Sequence, residues 1–118
     1  ISAMKAANVN RLVAVTGFGA GRSRSAMSRV EIMGHRALLG RPYADKDRQE
    51  ALIMASDLDW TIVRPVILTN GEMTHSYNVI TESSLWKNGL ISRKSVADYL
   101  LSATLNGLNI QTDLVLTR

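Results

Sequence analysis

The chain has 118 residues, 46% of them hydrophobic and 20% charged, with no cysteine and a formal net charge of +4. That is enough apolar material for one buried core, so the expectation is a single domain over residues 1–118. The composition excludes a disulfide framework and a thiolate metal site, and no apolar run approaches the roughly 20 residues that span a bilayer. His35 and His75 lie far apart with no ligand at metal spacing, so no metal site is expected. A cytoplasmic location fits these bounds.

Taken in chain order, Ser2 to Asn8 reads as the tail of a helix, with Ala3, Met4, Ala6 and Ala7 as good helix formers. Leu12-Val13-Ala14-Val15-Thr16 is a continuous apolar run of strand length, stopped by Gly17. Gly17, Gly19 and Gly21 make a loop. Helical spacing of Ala26, Met27, Val30, Met33, Ala37 and Leu38 predicts a helix within Arg22–Gly40, broken at Gly40-Arg41-Pro42. A second helix covers Tyr43 to Ser56. Acids Asp45, Asp47 and Glu50 suit its early turns, and Ala44, Ala51, Leu52 and Ala55 form the expected inner face.

Asp59-Trp60-Thr61-Ile62-Val63-Arg64-Pro65 follows, a short apolar strand closed by proline, which cannot donate to a sheet ladder. Val66 to Gly71 is read as a loop at its carboxyl end, where open α/β sheets bind ligands. Arg64 either pairs with a carboxylate or seals the strand end. The polar stretch runs on to about Ser76, with His75 expected exposed, and Tyr77–Ile80 is a short strand candidate. Ser92 is the expected N-cap of a helix through Leu105, with Val96, Leu100, Leu101 and Leu105 inward and Asn106-Gly107 as its stop. Asp113–Thr117 is a last strand. Trp60 and Trp86 read as core or interface pieces. A helix feeding a buried strand is half of a parallel α/β unit, so the fold class is α/β.

Charge is uneven. Residues 1–41 hold seven basic residues and one acid, giving +6, while the remainder is −2. This pattern suits either a solvated face or an anion site, and a basic nucleic-acid-binding domain is a third reading. No Lys/Arg run and little aromatic interleaving accompany it, so no nucleic-acid partner is expected. The turn Thr16-Gly17-Phe18-Gly19-Ala20-Gly21 begins like the dinucleotide fingerprint G-x-G-x-x-G. The third glycine fails, because position 22 is arginine, and the acid expected about 20 residues on is absent. It is therefore a ligand-lining turn and not a pyrophosphate loop. Tyr43 and Lys46 lie three apart on one helix face, where an ammonium can lower a phenol pKa for proton donation to a carbonyl.

Four pieces in order carry a family resemblance: Met4–Gly17, Asp45-Lys46-x-x-x-Glu50, Leu58–Pro65 with Leu68-Thr69-Asn70-Gly71, and Ile91-Ser92-Arg93-x-x-Val96-Ala97-Asp98-Tyr99-Leu100. Together they resemble the atypical short-chain dehydrogenase/reductase group, the NmrA-like NAD(P)-binding Rossmann proteins with biliverdin/flavin-reductase-like members. The resemblance implies a partial doubly wound sheet. Leu12–Thr16 and Thr61–Val63 are then adjacent parallel strands, with Asp113–Thr117 a later one, and the amino-terminal glycine-loop half is absent. It implies that Thr16, Gly17 and Phe18 line the cofactor cleft, that Lys46 approaches the nicotinamide ribose, and that Pro65, Val66, Ile67 and Leu68 flank the nicotinamide ring.

The implied cofactor is NADP or NAD, and the implied partners are that dinucleotide and a small flavin-, quinone- or carbonyl-like acceptor. An exposed sheet edge is the expected surface for self-association. The family's Tyr-x-x-x-Lys pair is not kept: Tyr43 is three residues before Lys46 and Pro42 is four. Tyr43 and Lys46 are thus the weak catalytic candidates, and a non-catalytic dinucleotide-sensing or interaction module is the alternative function.

Overall fold

A computed structural model of the chain describes residues 1–27 and 44–118. Among these, α1 (Ser2–Ala6) leads into β1 (Arg11–Val15), and a 3₁₀ turn covers Gly21–Ala26. The helix α2 spans residues 44–54. It is followed by β2 (Asp59–Pro65), β3 (Ile67–Thr69), β4 (Asn78–Ile80), β5 (Leu90–Ser92), α3 (Arg93–Asn106) and β6 (Thr112–Thr117). The expected helix within Arg22–Gly40 falls mostly outside the described residues, as do the Gly40-Arg41-Pro42 break and Tyr43. Only its start is described, and that start is the 3₁₀ turn.

The main sheet has the order β1-β2-β6-β4. β1 and β2 run parallel with Leu12 opposite Trp60 and Val15 opposite Val63, and β2 and β6 run parallel with Ile62 opposite Asp113. β4 closes the far edge antiparallel to β6. β3 and β5 form a separate parallel pair. Alternation of side chains along each strand divides the sheet into two faces. Trp60 and Ile62 join Ala14 and Ile53 of α2 in one apolar cluster, while Val63, Leu114 and Leu116 join Val96, Tyr99 and Ala103 of α3 in another. With α2 and α3 on opposite faces, the architecture is a partial Rossmann-like α/β fold. Each fully buried aliphatic side chain, Ile62 or Leu114 for example, contributes about 1.5–3 kcal/mol to it.

Local chemistry sets the element ends. Ser92 caps α3 by accepting a hydrogen bond from the Ser95 amide at 3.1 Å, and Gly107 ends the helix at φ 61°, where a Cβ would be strained. Arg11 reaches across from β1 and donates to the Ala103 and Leu108 carbonyls at the end of α3.

Several expectations are corrected. Ala44, Ala51, Leu52 and Ala55 are exposed, and α2 turns Glu50 and Ile53 inward. An ion pair, invisible to apolar periodicity, fixes that rotation. On α3, Leu101 and Leu105 are also exposed, and the buried positions are Ser95, Val96, Tyr99 and Ala103. Capping hydroxyls and a tyrosine take the inner stripe there. β3 and β5 were not expected as strands. Each is three residues long, too short to show a period, and each exists through its pairing with the other.

Candidate functional site

The carboxyl ends of β1 and β2 lie side by side. Pairing continues past β1, with the Thr16 amide donating to the Val63 carbonyl and the Phe18 amide to the Pro65 carbonyl, both at 3.0 Å. Thr16, Gly17, Phe18, Pro65 and Val66 are buried. Lys46, from the first turns of α2, donates its Nζ to the Thr16 carbonyl at 3.3 Å. The chain then swings away. Val66 donates to Leu116 and Ile67 to Gly89, so Ile67 belongs to the small sheet and its side chain is exposed. The structure therefore brings Thr16–Phe18, Lys46 and Pro65 together, with Val66 adjoining and Ile67 turned toward β5. Tyr43 lies outside the described residues.

Beneath this crevice sits a charged cluster that sequence reasoning grasped only in part. Arg64 is two residues beyond Ile62 on β2 and so shares its face, toward α2. It is fully buried. Its Nε and Nη2 donate to Glu50 Oε2 and Oε1 at 3.1 and 2.6 Å, and its Nη1 donates to Asp113 Oδ2 at 2.8 Å. Asp113 stands opposite Ile62 on β6, hence on the same face. Arg22 adds a two-bonded contact to Asp113 at 2.9 and 3.1 Å. Two guanidinium groups and two carboxylates make a neutral set, and both arginines lie 5.2 Å from the Trp86 ring centroid.

Thr16 donates its hydroxyl to Glu50 Oε2 at 2.6 Å. Thr16, which opens the turn, is thus held twice by one helix face, Lys46 at its carbonyl and Glu50 at its hydroxyl. Gly21 packs so closely that a Cβ there would clash with Glu50 Oε1. Burial pushes the Asp113 carboxyl up, but the bonds and charges of Arg22 and Arg64 outweigh it and hold it below the usual carboxylate range. The same Asp113 contact raises Arg22.

The two choices weighed for Arg64 resolve as pairing, with two carboxylates. Glu50 had signalled only a dipole-compatible acid and Asp113 only a strand residue. The spacing Lys46-x-x-x-Glu50 and the shared face of Ile62 and Arg64 were the signals available. Away from the crevice, Asp98 of α3 accepts the Tyr77 hydroxyl at 2.8 Å and lies 3.3 Å from His75 Nδ1. Burial, then the Asp98 contact, pushes the Tyr77 phenol up to about 12. His75 is exposed, as expected, and Trp60 and Trp86 are buried.

The described basic residues of the first third are all engaged within the chain. Lys5 pairs with Asp57, Arg22 with Asp113 and Arg24 with Asp47, while Arg11 bonds backbone carbonyls and Thr61. Among the described residues no group of three or more acids and histidines could hold a metal ion, and no helix is long and apolar enough to cross a membrane.

A family model described as NAD(P)H-binding matches residues 1–106. The chain belongs to that NAD(P)H-binding family. Among solved structures, it is 26% identical to ChuY of one Escherichia coli strain, with a TM-score of 0.84 over 96% of this chain and 55% of that one. A second E. coli ChuY, described as an anaerobillin reductase, is 25% identical, with a TM-score of 0.86 over 99% of this chain and 54% of that one. A wide-type short-chain dehydrogenase/reductase from Veillonella parvula, solved with NADP, shares the fold at 20% identity, with a TM-score of 0.81 over 99% of this chain and 54% of that one. The chain thus spans just over half the length of these structures. Among curated proteins no match was found.

Proposed function

We propose that this chain is the carboxyl-terminal part of an NAD(P)H-dependent reductase. Thr16, Gly17, Phe18, Lys46, Pro65, Val66 and Ile67 would form the nicotinamide side of its dinucleotide site. The observation that carries this reading is the convergence of three distant segments. The Phe18 amide is tied to Pro65 and Lys46 is tied to Thr16, at the carboxyl ends of adjacent parallel strands where such sheets bind ligands. Membership of the NAD(P)H-binding family and the likeness to ChuY support it.

The donor set fits the nicotinamide–ribose end of a dinucleotide. Lys46 would offer its ammonium to the ribose hydroxyls, and Pro65 and Val66 supply buried apolar surface. When bound, the dinucleotide supplies hydride for a flavin-, quinone- or carbonyl-like acceptor. The chain's own contribution is to orient the ring and exclude water. NADP and NAD are both compatible, and a cytoplasmic single domain that self-associates through a sheet edge completes the reading.

Two observations favour the alternative of a dinucleotide-sensing or interaction module. The Thr16 hydroxyl proton is committed to Glu50, and Tyr43 lacks catalytic spacing to Lys46. Two assays separate them. Titration of NADH and NADPH by their fluorescence should saturate, and Lys46→Ala should weaken binding roughly tenfold through the lost charge-assisted bond. Oxidation of the bound dinucleotide by added flavin or quinone then marks the reductase, and binding without turnover marks the sensor. If the full-length protein bound neither dinucleotide, both readings would fall.

A further inference from the structure

Beyond the crevice, the same turn borders a shallow hollow of about 610 Å³, largely open to solvent and lined by Gly21, Arg22, Arg24, Ser25 and Ser83. Its first lining residue, Gly21, lies three residues past Phe18 on the turn that borders the proposed nicotinamide side. Two arginines and two serines face a space large enough for a substituted ring.

Both arginines are held by one edge only. Arg22 spends Nε and Nη2 on Asp113, and its Nη1 bonds no described residue. Arg24 spends one Nη2 bond on Asp47 at 2.8 Å and nothing else among the described residues. Their side chains are 57% and 47% exposed. A guanidinium carries five donors in a fixed plane, so each keeps unused N–H groups while its carboxylate fixes its orientation. The Ser25 hydroxyl already donates to the Arg22 carbonyl, whereas Ser83, whose carbonyl accepts from the Trp86 amide, keeps its hydroxyl available to donate. Asp47, Asp113 and nearby Glu82 carry three negative charges against the two arginines, so the subsite acts through directed N–H donors and not through net charge, which limits affinity for a small free anion to about the millimolar range.

We propose that this hollow is an oxyanion subsite, formed by Arg22, Arg24 and Ser83, that takes a carboxylate, sulfonate or phosphate carried by the acceptor. The subsite stands on the hollow's own geometry, and its role toward an acceptor rests on the reductase reading. It gives the basic first third of the sequence a use that internal pairing alone does not exhaust.

The test has two arms. In the first, inorganic phosphate and acetate are titrated at ionic strength held constant with chloride, and the arginine Nε–H resonances and the Trp86 indole are followed by NMR. Saturable shifts confined to Arg22, Arg24 and Trp86 are expected. Arg24→Gln, which leaves the buried Glu50–Arg64–Asp113 set intact, should weaken binding roughly tenfold, the effect of one charge-assisted bond. Ser83→Ala should weaken it less. Shifts that stay linear, that chloride reproduces, or that Arg24→Gln leaves unchanged would overturn the subsite.

In the second arm, NAD(P)H oxidation is compared for a naphthoquinone and its sulfonate. The sulfonate should show the lower KM, and Arg24→Gln should raise that KM alone, with kcat and the neutral quinone unaffected. Equal KM values in the native protein would overturn the acceptor role. Saturable anion binding with neither quinone reduced would leave the subsite standing and count against the reductase reading.

Discussion

Replacing Arg64 by methionine tests the cluster on which the crevice rests. The substitution keeps volume and apolar stem but removes three hydrogen bonds, two to Glu50 and one to Asp113. Asp113 retains Arg22 as a partner, whereas Glu50, 2% exposed, is left among the described residues with only the Thr16 hydroxyl. Removing one partner of a buried ion pair costs about 3–5 kcal/mol, because the remaining charge is stranded in low dielectric. A domain of this size has roughly 5–15 kcal/mol in all, so most of its stability is at stake.

With a urea m-value of about 2 kcal/mol/M, the unfolding midpoint should fall by roughly 1.5–2.5 M with m unchanged. Glu50→Gln in the same background should recover part of that loss, since the stranded charge is then gone. The double-mutant cycle should show coupling of at least about 1 kcal/mol. The assay is equilibrium urea unfolding followed by tryptophan fluorescence and far-UV circular dichroism. A midpoint shift below about 0.5 M, or strict additivity of the two changes, would refute the claim that this pair holds the turn.

Gly21→Ala places a Cβ at φ +52° against Glu50, and left-handed strain of about 1–2 kcal/mol plus that clash should destabilise the fold by at least 2 kcal/mol in the same urea assay. A wild-type midpoint would contradict it. The Asp113 carboxyl is lowered from 3.8 in the folded state, so its contribution is fully present above that unfolded value and is lost as pH falls through the lower folded one. The stability gap between wild type and Asp113→Asn should therefore be constant near neutrality and shrink below about pH 4, and a gap unchanged down to about pH 2.5 would speak against the assignment. Ser92→Ala removes the acceptor of the buried Ser95 amide and should cost about 1 kcal/mol, measured as a lowered thermal midpoint. No change would mean that the cap is not what starts α3.

The sequence by itself settled the elements whose signal is local. Leu12–Thr16 and Thr61–Val63 read as strands because each is a short apolar run ended by Gly17 or Pro65; Thr61–Val63 is buried, whereas β1, at the edge of the described sheet, leaves Val15 exposed. Ser92 and Asn106-Gly107 marked the ends of α3 because caps depend on a few adjacent residues. What only the tertiary structure decided is which polar residues meet. Glu50, Arg64 and Asp113 are separated by 14 and 49 positions, and no periodicity links them. They come together because β6 pairs beside β2 in one register and α2 covers that face. The same contact rotated α2 away from its alanines and left Leu52 in solvent. A buried ion pair acts between elements that the chain order keeps apart, so its partners become visible only when the strands have been laid side by side.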